Sequence, residues 1–398
     1  MTWRIIFTCL FVLTVPLHPL FGDEKDEFDD LYDVLMVRHA LNGVAFGENE
    51  ITPMIFKFSA FPFDDATYPR LRAALDGFKL GEIEKFSVEQ RAMLQRQVWA
   101  IFDATTPSRF VTRRPHEKRR NAVRQQLADL IRSLALKKSE ILSLPHTLRA
   151  TVEAKKYPTR FDLDKPTSPF LPSELSEDSS AWMCFGRSGS PVTFHASESG
   201  WRSVFFQFIR LPNGRVATID YIDDWKKDDV FPVGTQVALI EKAFLVSDEG
   251  EIVLSPMTVG VQLRAYRNVE QHIRDAGTAT QCVAEFISRP WDYMRGDALM
   301  VAVRPTDHRL KVLMTGGKHD VLELVHDPKT SAVLRLKQCM NCHGGAGTNS
   351  LGDVVVPRGK LKTLQQRSQT EITEATMNAK RADDAWKLLR NAWNKGTR

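Results

Sequence analysis

The sequence predicts an α+β fold: a helical N-terminal region, an antiparallel β sandwich or barrel in the middle, and a C-terminal helical segment. Three observations predict it. Apolar residues recur at three- and four-residue intervals up to about residue 157. Residues 158–181 then lose all periodicity and hold four prolines and five serines. Beyond them, β-branched and aromatic runs alternate with turn dipeptides.

In the first region, DEFDDLYDVLMVRHAL places Phe28, Leu31, Leu35 and Leu41 on a mixed helical stripe ending at Gly43. Ser87-Val-Glu-Gln90 is a capping-box pattern, in which serine and glutamine side chains satisfy free amides at a helix start, and its helix should run to about Ala104. Pro115 opens another, with Val123, Leu127, Leu130, Ile131 and Leu134 as its buried stripe. In the strand-rich region, RSVFFQFIR and RVATIDYI flank Pro212-Asn213-Gly214, a hairpin signal. TQVALIEKAFLV and EIVLSPMTV flank Ser247-Asp-Glu-Gly250, a second one. CVAEFI, ALMVAV and HRLKVLM continue the pattern. Ser331 to Met340 suits a helix, and TEITEATMNAKRADDAWKLLRNAW closes the chain as one charged, weakly amphipathic helix. The divisions expected are 1–22, 23–157, a linker over 158–181, a β-rich domain over 182–326, and 327–398.

The first 22 residues have the layout of a secretory signal: the charged start Met1-Thr-Trp-Arg4, an apolar run from Ile5 to Leu17, and Gly22 before an acidic stretch. The run is shorter than the roughly 20 residues that cross a bilayer core. Export to a bacterial periplasm or cell envelope is therefore expected, with cleavage near Gly22 favoured over retention as an anchor. No later run approaches spanning length. A net charge of +5 over 398 residues gives no case for binding nucleic acid.

Of five cysteines, Cys9 lies in the signal and four remain: Cys184, Cys282, Cys339 and Cys342. In an oxidising compartment Cys184 and Cys282 suit either a disulfide or two buried thiols. The other two stand in QCMNCHGGAG, residues 338–347, with His343 following the second at once. On a helix, positions three and four apart share a face, so Cys339, Cys342 and His343 can meet one planar ligand together. Chance matches to C-x-x-C-H at this chain's own composition number about 0.002.

CMNCHGG resembles the haem-attachment site of the c-type cytochromes. The likeness covers about ten residues of the 398 and is specific for the cofactor, not for the task. It implies one covalent haem c per chain, with thioethers on Cys339 and Cys342 and iron ligated by His343. It also implies single-electron transfer with a redox partner protein. The chain departs from the small cytochromes of that family, because the 55 residues after His343, with Met377 as their only methionine, fall short of a complete domain of that type. Met377 is the first candidate for the sixth iron ligand, since a thioether raises the reduction potential. His319, His326 and an open position are the others. Pro357 resembles the loop proline whose carbonyl accepts from the proximal histidine in that family, or else is an ordinary turn residue.

The same residues suit rival readings. An open sixth position would suit a peroxidase-like haem oxidoreductase, and the β-rich region a binding or sensory protein that carries a redox haem. Zinc needs two further ligands and no second C-x-x-C supplies them. A redox dithiol needs a βαβ setting that the flanking sequence lacks. Arg109 to Arg124 carries seven arginines and lysines against one glutamate, which suits an acidic partner or a solvated helical face. Asp223-Asp224 and Asp228-Asp229 suit solvated turns or a cation.

Overall fold

The structure is a computed structural model that describes residues 62–106, 116–266, 281–303 and 364–395, with short interruptions, and a few residues between 33 and 46. Seven strands form one antiparallel sheet: β3 (Met183–Arg187), β4 (Ser203–Arg210), β5 (Gln236–Val246), β6 (Ile252–Tyr266), β7 (Gln281–Ile287), β8 (Val301–Ala302) and β9 (Leu364–Gln366). Their order is β8-β7-β6-β5-β4-β3-β9. The expected sandwich or barrel is thus corrected, among the described residues, to a single open sheet. The physical reason lies in what covers it: helices, not a second sheet, supply the facing layer.

Alternation along the strands sorts the two faces. Val204, Phe206 and Phe208 of β4, Ala238 and Ile240 of β5, Val261 and Leu263 of β6, and Phe286 of β7 join the main core. The helices α1 (Tyr68–Gly77), α2 (Val88–Thr105), α3 (Glu117–Ser133), α4 (Lys138–Ser143) and α5 (Thr147–Glu153) contribute to that same core. So do Phe170, Leu171 and Leu175, which are buried although they stand in the stretch expected to be a linker. Ile209, Val237 and Tyr266 face the other way, where they meet Met183, Phe185, Ile222, Phe231 and Leu364 in a second, smaller core.

The capping box forms as expected. Ser87 Oγ accepts from the Gln90 amide at 3.2 Å, and Gln90 Oε1 accepts from the Ser87 amide at 2.9 Å. Its helix, α2, is buried on nearly every side, so its polar residues must find partners inside the protein. Gln95 does so by imitating a strand: its amide exchanges two hydrogen bonds with the Val246 backbone, at 2.8 and 2.9 Å. Arg96 donates to the carbonyls of Arg202 and Phe244 at 2.7 and 2.8 Å and to Ser203 Oγ at 3.0 Å. These bonds fasten α2 to β4 and β5.

Three local expectations are corrected. Pro212-Asn213-Gly214 does not turn between two strands, because Gly214–Asp223 is helix α7, which follows the short α6 (Phe194–Glu198). Thr218 and Ile222, four apart, are its buried residues, and Thr218 Oγ1 accepts from the Leu211 amide at 3.0 Å, so helical period overrides β propensity. The stripe expected from Phe28 to Leu41 is interrupted: Arg38–His39 (β1) pairs with Ala45–Phe46 (β2), and the turn dipeptide Asn42-Gly43 stands between them. After α8 (Pro290–Met294), the closing helix is two, α9 (Gln369–Ala382) and α10 (Asp384–Lys395), parted where Asp383 adopts an extended ψ of 139°. Ser247–Gly250, by contrast, does join β5 to β6 as a hairpin.

Candidate functional site

Cys339, Cys342 and His343 lie outside the described residues, as do His319, His326, Pro357 and the expected helix from Ser331 to Met340. Topology still constrains the chain that carries them. Among the described residues β8 and β9 are the outermost strands of the sheet, and residues 303–363 run between them in the sequence. Six interstrand steps separate those edges, about 29 Å at 4.8 Å each.

Met377, the expected sixth ligand, stands on α9, where its side chain is half-buried and packs against the main core. Ile372, Thr376 and Lys380 form the inward stripe of that helix. Lys380 is the anchor. It is fully buried, and its ammonium donates to Asp103 Oδ2 at 2.7 Å and pairs with Asp383 at 3.4 Å. Arg202 donates to the same Asp103 oxygen at 2.6 Å. Two cations and two carboxylates therefore balance within one buried cluster that joins α2, β4 and α9. Burial pushes the Lys380 ammonium below its ordinary range, while Asp103 and then Asp383 oppose that shift. The ammonium also lies 5.1 Å from the centre of the Trp99 ring. Gly200, at φ +65°, leaves room for Arg202, whose guanidinium would meet any Cβ placed there.

The basic stretch is spent largely on structure in the part described, 116–124. Arg120 is buried, donates to the Ala104 carbonyl at 2.6 Å and stacks on Phe63. Arg124 donates to the Thr105 carbonyl at 2.5 Å, and Arg119 pairs with Asp65 at 2.5 Å. Arg120 and Arg124 thus satisfy carbonyls left over at the C-terminal end of α2. Asp223 accepts a bond from Gln366 at 3.3 Å, and Asp228-Asp229 lies outside the described residues. Among the described residues, no group of three or more His, Cys, Asp or Glu could hold a metal ion, and no helix is long and apolar enough to cross a membrane.

Of the two alternatives for Cys184 and Cys282, the disulfide is excluded. Cys184 is on β3 and Cys282 on β7, with β4, β5 and β6 between them. Four strand spacings make about 19 Å, whereas a disulfide needs Cα atoms within about 7 Å. Both cysteines point toward the main-core face of the sheet, as their strand partners Phe208 and Ala265 do.

Sequence reasoning missed the buried ionic cluster and a second group of charges around His146, Arg149 and Lys242. No local signal announces either, because their members are scattered from residue 103 to residue 383. Comparison with known protein families, with curated proteins and with solved structures returns no match to this chain.

Proposed function

We propose that the chain is an exported, monohaem c-type cytochrome-like protein that passes single electrons to or from a partner protein in the bacterial periplasm or cell envelope. One observation carries the reading: Cys339-Met340-Asn341-Cys342-His343, preceded far upstream by a secretory signal layout. The donor set fits the group chemically, with two thiols for thioether bonds and an adjacent imidazole for iron. Bound in that way, haem c supplies a one-electron iron couple.

The chain's residues would hold and tune it. Cys339 and Cys342 would carry the thioether bonds, His343 would ligate the iron, and residues 327–398 would form the haem-binding segment. Met377 is the proposed sixth ligand. In support, its thioether lies half-buried against an apolar core, and the helix that bears it is held by the Asp103–Lys380 bond. An apolar setting and a thioether ligand both favour a raised potential.

The test is a pyridine haemochrome spectrum of protein produced with haem-attachment machinery. A covalent c-type signal of one haem per chain is expected, lost in Cys339→Ser with Cys342→Ser. In Met377→Ala the covalent haem should persist while the ferric spectrum turns from low to high spin. Colourless mature protein with both thiols open to alkylation would sink the proposal.

A further inference from the structure

Strand registers put Glu241 of β5, Gln262 and Arg264 of β6, and Glu285 and Ile287 of β7 on the sheet face turned away from the main core. Two described helices reach that side. Helix α7 roofs the second core over β3, β4 and β9, and α6 lies on β4, where His195 meets Phe205 at 5.7 Å between ring centres. β7 is three strand spacings from β4, about 14 Å. Yet Gln262, Arg264, Glu285 and Ile287 are each 9% exposed or less, and Ile287 belongs to neither core. Arg264 donates to Gln262 Oε1 at 2.7 Å within this surface. Withdrawing a guanidinium and a carboxylate from water is costly unless the layer that covers them also supplies polar partners and counter-charge.

The chain itself points to what that layer is. Val303, the last residue described before the C-x-x-C-H motif, runs alongside β7, its amide donating to the Glu285 carbonyl at 2.7 Å. Residues 304–337 lead on from there to the motif and start with Arg304. They carry seven arginines and lysines against four aspartates and glutamates, with apolar residues such as Leu310, Val312 and Met314. The surface offers the complement, Glu241 and Glu285 against Arg264, beside the apolar Ile287. Extended, the stretch would reach about 110 Å, several times the distance from β8 back to β5, so it is long enough to form a layer. Other stretches outside the described residues fit less well. Residues 47–61 have two glutamates against one lysine, and residues 267–280 balance two arginines with a glutamate and an aspartate while joining β6 to β7.

We infer that the sheet surface formed by Glu241, Gln262, Arg264, Glu285 and Ile287 is the docking face for residues 304–337 of the same chain. The stretch leading to Cys339 is then held on the sheet by apolar contact with Ile287 and by basic side chains set against the two glutamates. The inference does not rest on haem. It concerns the chain before the motif, and it stands or falls whether or not a porphyrin is bound.

Photo-crosslinking on the full chain tests it. The photoreactive residue p-benzoylphenylalanine is placed at Leu239 or at Val283, both half-buried on this face, and at Val216 on the exposed side of α7 as a control. After irradiation and digestion, mass spectrometry should find adducts within one chain from the first two positions to peptides of 304–337, and none from Val216. Adducts to residues 1–61 or 267–280 instead, adducts between two chains, or no adduct from either position would overturn the assignment. Hydrogen exchange of the unsubstituted protein supplies a measurement that no variant can spoil. Amides in 304–337 should exchange about tenfold or more slowly than those of an unstructured peptide; exchange at the unstructured rate throughout that stretch would also overturn it.

Discussion

At the scale of single residues, His146 offers a test through pH. Burial first, then the charges of Lys242 and Arg149, push its imidazole down to about 4 from an ordinary 6.5. Between those two values the unfolded chain binds a proton that the folded chain refuses. Stability should therefore fall as pH drops from about 6.5 to about 4, and this contribution should level off below 4. His146→Asn keeps a side-chain acceptor at the helix cap and removes the titration. Subtracting its stability profile from the parent's should leave a slope confined to that window; a flat difference would show that His146 titrates normally. None of this was legible in the sequence. His146 stands in SLPHTL with nothing to mark it, because the charge that matters most after burial comes from Lys242, 96 residues away in the chain.

At the scale of elements, what the sequence disclosed depended on whether a signal was local. The capping box of α2 needed only Ser87 and Gln90, and the hairpin between β5 and β6 needed only the turn at Ser247–Gly250, so both were readable. RVATIDYI was misread because its β-branched residues outweighed a four-residue spacing that the second core then exploited. The break between α9 and α10 was missed for another reason: the single extended residue Asp383 parts two charged helical runs with no glycine or proline to mark it. The buried ionic cluster makes the placement of α9 sensitive to Asp103. Asp103→Ala would leave Arg202 and Lys380 buried with only Asp383 as counter-charge, a loss of about 3–5 kcal/mol for a broken buried pair. Urea denaturation should show a drop of that order. If the protein carries haem through Met377, the same variant should also shift its reduction potential while leaving covalent haem intact. A loss below 1 kcal/mol would mean that water reaches the cluster.

At the scale of the whole molecule, the feature that marks this chain chemically, C-x-x-C-H, and the features that hold it together lie in different places. The motif lies in sequence between β8 and β9, the outermost strands among the described residues, and no residue of the central architecture is needed to recognise it. The architecture rests instead on a core common to the N-terminal helices, the main face of the sheet and α9 with α10. Gln95 and Arg96 bond the helical layer to β4 and β5, Thr147 bonds α5 to β6, and Trp386 of α10 packs on Trp99 of α2 at 5.7 Å. Separating helices from sheet would strand those buried polar groups without partners, at roughly 1–3 kcal/mol each. The two layers should therefore unfold together, although a chain of this length often unfolds in stages. Urea transitions followed by tryptophan fluorescence, which reports on Trp99, Trp182, Trp386 and Trp393 in the core, and by far-ultraviolet dichroism should share one midpoint. Two separated midpoints would show that the helical layer and the sheet are independent units, and that the bonds from α2 to β5 form only after each has folded.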